Sequence, residues 1–231
     1  MQIEFRSINL QRDGAGDQLA MKIFHSRNAL SLSKRVPLLE NMGFGVVSEQ
    51  THQIDVRDKD GQLQPVIVHD MELNLPADIE FDLKNDHKRL QDAFLSIWSG
   101  DIDNDLFNRL VSYSGLSIRE TKVLRTYARY LRQAGITYSQ RYMADSLVRY
   151  PKITQNLFDL FHNRFDPSIS KTTRDETQTK ILNKIKSALE AVPSLDDDRI
   201  INRFANAIMG TLRRNYFQIM ADGEPNSILA L

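Results

Sequence analysis

The first third of the chain carries short apolar runs separated by polar turns, a pattern typical of strands mixed with a few helices. Strands are predicted at 19–26, 45–56 and 65–75, and Asp58-Lys59-Asp60-Gly61 between the last two predicts a hairpin turn. Two helices are predicted beside them, one with Leu32, Val36, Leu39 and Met42 on its apolar face and one over 87–98 with Leu90, Phe94, Ile97 and Trp98. An alternating apolar segment also opens the chain, at Ile3, Phe5, Ile8 and Leu10.

After Gly100 the apolar positions recur every three to four residues, which predicts helices throughout. The first is predicted over 104–114, and Ser117 with Glu120 predicts a capping box for the second, which ends at Gly135. The next two are predicted from Ser139 to Pro151 and over 153–165. A polar linker follows at 166–173. Two longer helices are then predicted from the apolar positions Ile181, Ile185, Leu189, Ile200, Ile201, Phe204, Ile208 and Leu212.

These elements predict an α+β protein of two parts. The order strand, helix, strand, strand, helix makes most of a ferredoxin-like sandwich, predicted over residues 1–100. An all-α domain is predicted over 101–231. The last residues, SILAL after a turn at 222–226, predict the first part of a strand whose partner would lie in a following domain.

Composition narrows the class of protein. The formal net charge is +0 and the pI is about 7.0, so nothing global indicates a nucleic-acid or membrane partner. The chain has no cysteine, which excludes disulfides, thiolate metal sites and cysteine nucleophiles. No apolar run has the length of a membrane span, and the N-terminus lacks the pattern of a signal peptide. We therefore expect a cytoplasmic protein.

The sequence offers no catalytic or cofactor motif. None of its ten glycines makes the G-x-G-x-x-G turn that holds a dinucleotide pyrophosphate, so no cofactor site is expected in this chain. His25, His52 and His69 fall on or beside predicted strands and would bind a metal only if the sheet brought them together. Because their spacing matches no metal motif, no metal site is predicted.

Residues 109–167 are the most distinctive part of the chain. The segments GLSIRE, LRTYARYLRQAG, SQRYM and LFHNRFDP resemble, in order, the helical region ahead of the catalytic domain in the large bacterial NAD-dependent glutamate dehydrogenases. The segment SLDDDRIINRFANAIMGTLRRNYFQ at 194–218 gives a second resemblance to them. This resemblance implies a parent enzyme that oxidatively deaminates L-glutamate to 2-oxoglutarate and ammonia with reduction of NAD. The chain itself would be a non-catalytic fragment, with NAD bound elsewhere in the parent.

The first part of the chain resembles an ACT-type regulatory domain, a small fold that often binds amino acids. In such domains the effector binds between the first strand and the first helix, here at His25, Ser26, Arg27 and Asn28. A helix N-terminus suits a carboxylate, and Arg27 would assist. The glycine usual in that loop of the ACT family is missing here, so a structural or oligomeric role competes with effector binding.

A basic, aromatic-rich stretch predicts a docking face. Arg125, Arg129 and Arg132 fall on one side of a predicted helix, with Tyr127 and Tyr130 interleaved. This face is predicted to contact an acidic neighbouring domain of the parent or another subunit of a homo-oligomer, because interfaces are rich in Arg and Tyr. Two other classes stay open: a stand-alone amino-acid sensor, and a helical nucleic-acid-binding module.

Overall fold

The computed structural model describes residues 2–8, 18–25, 30–57, 59–75, 82–221, 223–226 and 228–230, and it confirms the α+β class. Four strands and eight α-helices lie in these residues. They are β1 (Gln2–Ile8), β2 (Gln18–His25), α1 (Leu32–Asn41), β3 (Gly45–Arg57), β4 (Leu63–Asn74), α2 (Leu83–Ser99), α3 (Arg109–Tyr113), α4 (Ile118–Gln133), α5 (Gln140–Arg149), α6 (Pro151–Phe165), α7 (Lys171–Leu189) and α8 (Leu195–Gly210). A single 3₁₀ turn, Leu106–Asn108, precedes α3.

Contacts divide the chain into two compact units, residues 1–113 and 114–231. The division falls later than the predicted one because the residues after Gly100 pack against α1. Ser112 donates to the carbonyl of Met42 over 2.7 Å, and the side chain of Asn41 donates to Asn104 Oδ1 over 2.9 Å. The single helix predicted over 104–114 is instead the 3₁₀ turn followed by the short α3.

The sheet of the first unit has the order β1-β2-β4-β3, and all of its neighbouring strands are antiparallel. The predicted hairpin is present, with β3 and β4 paired from Gly45 and Asn74 to Arg57 and Leu63. From β2 to α2 the elements follow the predicted ferredoxin-like order. β1 lies at the edge beside β2, the position that the last strand holds in a ferredoxin-like sheet.

The buried face of helix α1 agrees with the prediction towards the C-terminal end of the helix and differs from it at the N-terminal end. Its buried positions are Arg35, Leu38, Leu39 and Met42, whereas Leu32 is 50% exposed. Leu39 and Met42 are buried as predicted, but the prediction for Leu32 was wrong, because Arg35 fills the core position at this end of the helix. The helix ends as predicted at Gly43, whose φ of 97° is left-handed, and Phe44 N–H closes the turn on the carbonyl of Leu39.

The second unit is helical, and its core consists of apolar side chains from α4 to α8. The capping box is confirmed, since the Ser117 hydroxyl accepts from Glu120 N–H and the Glu120 carboxylate accepts from Ser117 N–H. Pro151 is the first residue of α6, where its missing N–H costs nothing. Ile181, Ile185 and Leu189 of α7 are buried as predicted.

Three predictions for the second unit need correction. The polar linker 166–173 is shorter, because α7 already begins at Lys171 and Arg174 donates to the carbonyls of Asn163, Asp166 and Ile169. Leu212 is 87% exposed because α8 ends at Gly210. Residues 228–230 form no strand, and Ile228 is exposed. Among the described helices, none is both long and apolar enough to cross a bilayer.

Candidate functional site

A cluster of polar side chains lies in the first unit, between α1 and the sheet, beside the start of α1. Arg35, Glu49 and His69 come from α1, β3 and β4, and the side chains of Arg35 and His69 are 1% and 0% exposed. The guanidinium of Arg35 donates from Nη2 to Glu49 Oε1 over 2.6 Å and to the carbonyl of Leu30 over 2.8 Å. Removing either partner of such a pair would leave an uncompensated charge in the core.

A β-bulge in β3 brings Glu49 into this cluster. Val46 pairs with Leu73 but Ser48 pairs with Glu72, so Val47 is an extra residue in the strand. Because side chains alternate along a strand, one extra residue moves every later side chain to the opposite face. Glu49 and Thr51 therefore face the helices, while Val47 is 48% exposed.

The hydrogen bonds of His69 identify its tautomer. The N–H of Leu30 donates to His69 Nε2 over 3.1 Å, so Nε2 carries no proton and acts as the acceptor. Nδ1 therefore holds the proton and lies 3.0 Å from Glu49 Oε1 and 2.9 Å from Thr51 Oγ1. The backbone N–H and C=O of Leu30 are thus bound by two core side chains, His69 and Arg35, which fixes the start of α1 on the sheet.

The surroundings in this cluster lower the pKa values of Glu49 and His69. Burial alone would raise the pKa of Glu49, but hydrogen bonds and the charge of Arg35, with Thr51 and His69, hold it below its usual range. Burial and the nearby Arg35 charge lower the pKa of His69, against the bond to Glu49. Burial also lowers the pKa of His25. At neutral pH the cluster is therefore an Arg35–Glu49 ion pair beside neutral histidines.

Of the predicted effector loop, His25 lies beside this cluster and Ser26, Arg27 and Asn28 lie outside the described residues. The rings of His25 and His69 stack at 5.4 Å between centroids, with their Nε2 atoms 3.3 Å apart. His52 lies on β3 and is exposed, so the sheet joins two of the three strand histidines. Within the described part of the chain, no group of three or more His, Asp or Glu side chains is arranged for a metal ion.

The predicted docking face divides between surface and core. Arg129, Tyr130 and Arg132 are exposed on α4, whereas Arg125 and Tyr127 are buried because α4 packs against both α6 and α8. Tyr127 donates to or accepts from Thr211 Oγ1 over 2.9 Å, and burial raises its pKa to about 12. Arg132 Nη1 donates to carbonyls just past the end of α4, at Ile136, Thr137 and Tyr138. The exposed part of the predicted docking face is therefore Arg129, Tyr130 and Arg132.

A second buried carboxylate, Asp197 in the first turn of α8, was not predicted from the sequence. It is 2% exposed and accepts from Arg149 through Nε and Nη2, at 3.1 and 2.5 Å, and from the Tyr150 hydroxyl at 3.2 Å. Burial opposes ionisation, but these bonds hold the pKa of Asp197 below its usual range. Asp197 was hidden among three consecutive aspartates, of which only the middle one faces inward.

Three family models match the chain, and all describe parts of one enzyme. The glutamate dehydrogenase ACT3 domain matches residues 5–85, and glutamate dehydrogenase helical motif 3 matches residues 102–167. The catalytic domain of bacterial NAD-glutamate dehydrogenase matches residues 184–231, which the sequence alone grouped with the helical region. The matches confirm the resemblance to an ACT-type domain followed by a helical region.

Curated relatives give the same result. NAD-specific glutamate dehydrogenases from Halomonas elongata and Pseudomonas aeruginosa are each 35% identical, over 96% and 91% of this chain. The enzyme of the same name from Mycobacterium tuberculosis is 34% identical over 81% of the chain. The chain spans only 12–13% of the length of these relatives. From the ACT-type sheet, the helical unit and these matches together, we conclude that the chain belongs to the family of NAD-specific glutamate dehydrogenases of the bacterial type.

Proposed function

We propose that this chain is an assembly and regulatory region of a large NAD-dependent glutamate dehydrogenase and takes no part in the chemistry itself. The whole enzyme would deaminate L-glutamate oxidatively to 2-oxoglutarate and ammonia, with NAD bound and reduced elsewhere in the parent. Cytoplasmic location is part of the same proposal. Its partners would be the other domains of the parent and further copies of the chain.

The observation that carries the structural role is the binding of Leu30 by Arg35 and His69. In a domain that binds an effector between the first strand and the first helix, backbone groups at that position face the ligand. Here the N–H and the C=O of Leu30 are used by the protein's own core. This arrangement favours a rigid element of assembly over an open effector pocket.

One observation favours effector binding as a second candidate. Arg35 Nε is buried and has no hydrogen-bond partner within the described residues. Such a donor is costly to leave unsatisfied, and a carboxylate would satisfy it. The effector would be an amino acid bound by the loop His25, Ser26, Arg27 and Asn28.

A thermal-shift screen of this chain separates the two candidates. Common amino acids, 2-oxoglutarate and NAD would each be added at a concentration well above expected affinities. A ligand present at a hundred times its dissociation constant adds about 2.7 kcal/mol, a rise of several degrees in Tm. We expect no shift with any of them, and no glutamate-dependent formation of NADH at 340 nm.

Two results would contradict the structural role. A selective shift with one amino acid, lost in Arg27→Ala but kept in an Arg57→Ala control on the distal part of the hairpin, would establish the effector site. A shift with NAD, or turnover by the chain alone, would overturn the proposal that it is non-catalytic.

A further inference from the structure

A segment without helix or strand follows α8 and lies against two helices of the second unit. It covers residues 211–218, which we call the strap. The surface that receives it belongs to α4 and α6, and we call this surface the cradle. The cradle consists of one cationic side chain and four aromatic ones: Arg119, Phe158, Phe161, His162 and Phe165.

Tyr216 is the centre of the contact. Its ring meets the ring of Phe161 edge to face at 5.3 Å between centroids, and the ring of Phe158 at 6.3 Å. The guanidinium of Arg119 lies 4.7 Å from the centroid of the Tyr216 ring, and its Nη2 donates to the Tyr216 carbonyl over 2.5 Å. One arginine of the cradle therefore binds both the ring and the backbone of this residue.

Arg214 and Phe217 make a second contact, at the end of α6. Arg214 Nη2 donates to the carbonyl of Phe165, the last residue of that helix. Its guanidinium lies 5.3 Å from the ring centroids of both Phe165 and Phe217. Phe217 in turn meets the ring of His162 edge to face at 5.4 Å. The strap is thus held by rings and guanidinium groups from both sides.

The strap can leave the cradle without breaking a helix. None of its backbone groups bonds to the backbone of α4 or α6 within the described part of the chain. Two buried donors, Arg164 Nε and Arg214 Nε, also have no hydrogen-bond partner among the described residues, which costs free energy while the strap is bound. Segments held in this way open locally, at a lower free energy than global unfolding.

The two sides of the contact lie in different matched regions. The cradle falls within residues 102–167, which match helical motif 3, and the strap falls within residues 184–231, which match the catalytic domain. Its contact with the cradle therefore joins the helical region to the segment that matches the catalytic domain.

We propose that the strap is a latch, which fixes the segment matching the catalytic domain to the helical region and is released as a unit while α4 to α8 stay folded. The inference rests on the assembly and regulatory role proposed above. It names the surface through which such a region would hold the catalytic domain of the parent.

Proteolysis of the full chain by chymotrypsin tests the latch. Chymotrypsin cleaves after aromatic residues, and cleavage after Phe217 requires that the strap leave the cradle. When opening is fast relative to cleavage, the rate reports the population of the open form. A free peptide of residues 211–221 gives the rate for an unbound strap, and mass spectrometry identifies each cleavage site.

The dependence on urea distinguishes local release from global unfolding. Release of the strap exposes little surface, so cleavage after Phe217 should depend only weakly on urea. Cleavage after Phe161, inside α6, requires unfolding of the helices and should be slower and depend steeply on urea. In the chain without urea, cleavage after Phe217 should still be slower than in the free peptide.

Two variants test whether the cradle holds the strap. Arg119→Ala removes the hydrogen bond and the contact with the ring, and Tyr216→Leu removes the ring. Each should speed cleavage after Phe217 on the order of tenfold, which corresponds to about 1.4 kcal/mol. A peptide carrying Tyr216→Leu corrects for the altered cleavage site. If Arg119→Ala fails to fold by circular dichroism, Arg214→Ala takes its place.

Matched controls change the exposed residues of the strap. Leu212 is 87% exposed, and Arg213 is an exposed arginine directly before Arg214. Leu212→Ala and Arg213→Ala should therefore leave the rate of cleavage after Phe217 unchanged.

Three results would overturn the proposal. The first is cleavage of the original chain after Phe217 as fast as that of the free peptide, and the second is an unchanged rate in Arg119→Ala and Tyr216→Leu. The third is the same rate and urea dependence after Phe217 and Phe161. None of these outcomes bears on the ligand screen or on turnover, so failure of the latch is distinguishable from failure of the proposed function.

Discussion

In each unit, a buried titratable group makes stability depend on pH. In the first unit the neutral form of His69 accepts from Leu30, and in the second the ionised form of Asp197 accepts from Arg149. Each group prefers one protonation state in the folded chain, and each preference becomes a dependence of stability on pH. The two dependences fall in different pH windows.

The first prediction concerns His69. Because burial and Arg35 lower its pKa below 6.5, the unfolded chain takes up the proton first as the pH falls. The contribution of neutral His69 to the free energy of unfolding is fully present above about pH 6.5. It falls at lower pH, by at most about 1.4 kcal/mol per pH unit for one proton. His69→Gln should reduce this decline between pH 7 and 5, measured by urea unfolding. The decline should persist in part because the pKa of His25 is also lowered.

His52→Gln is the matched control for that experiment. His52 is exposed on β3, so its replacement should leave the pH profile unchanged. An equal loss of pH dependence in both variants would show that the burial of His69 is not its cause.

The second prediction concerns Asp197. Because the pKa of Asp197 is lowered in the folded chain, this carboxylate stays ionised there at a pH at which it is already protonated in the unfolded chain. Its contribution to the free energy of unfolding is therefore fully present above about pH 3.8 and is lost as the pH falls further. Asp197→Asn should cost about 1–2 kcal/mol at pH 7, at the low end for a buried pair because Arg149 is partly exposed. It should also flatten the acid limb of the profile. Urea unfolding at each pH measures both effects, and Asp198→Asn, one residue along, should cost only a few tenths of a kcal/mol.

At the scale of elements, the ends of helices are set by local geometry. Gly135 follows α4 with a φ of 89°, and Ile136 N–H closes the turn on the carbonyl of Leu131. Gly210 ends α8 without a left-handed φ and has open space around its missing side chain. Gly135 therefore lies just past its helix in a left-handed conformation, whereas Gly210 is the last residue of its helix and is not left-handed.

The third prediction uses this contrast. Gly135→Ala should destabilise the second unit by about 1–2 kcal/mol, since a left-handed φ disfavours any Cβ. Gly210→Ala should stabilise it by up to about 0.5 kcal/mol, because alanine favours the helix and meets no neighbour. Urea unfolding of both variants measures the difference, and two changes of the same sign would contradict the assignment of the helix ends.

Elements were predictable from sequence wherever one apolar stripe or one turn motif decided them. The hairpin at Gly61, the capping box at Ser117 and the buried stripe of α7 all follow from local pattern. The cluster at Arg35 did not, because a charged residue at a core position breaks the stripe that periodicity searches for. Its partner Glu49 depends on the bulge at Val47, and no local pattern signals which residue of a strand is the extra one.

The candidate surface on α4 was predictable only in part, for a related reason. Periodicity places Arg125, Arg129 and Arg132 on one side of a helix, but it cannot tell how many neighbours that helix has. Since α4 packs against α5, α6 and α8, its buried arc is wide and takes in Arg125 and Tyr127.

At the scale of the whole molecule, the chain divides after Tyr113. The 3₁₀ turn and α3 contact α1 and α2, and Ser112 binds the carbonyl at the end of α1. The first unit is therefore incomplete without the residues that follow Gly100.

The fourth prediction compares two lengths of the first unit. Residues 1–113 expressed alone should unfold cooperatively, with a higher Tm than residues 1–100, because the shorter piece lacks Phe107, Leu110 and Val111 and exposes the apolar surface that they cover. Calorimetry of both pieces checks this. Equal Tm values would show that the packing of α3 contributes nothing to the first unit.

The position of β1 beside β2 makes the sheet of the first unit a circular permutation of the ferredoxin-like order. The strand that normally comes last along the chain comes first here, while the neighbours of every strand remain the same. β1 pairs with the outer side of β2, whose backbone N–H and C=O groups would otherwise have no partners. Such an open edge pairs readily with other chains, so removing the first eight residues would make β2, with its core residues Leu19, Met21 and Ile23, an edge strand that can template aggregation.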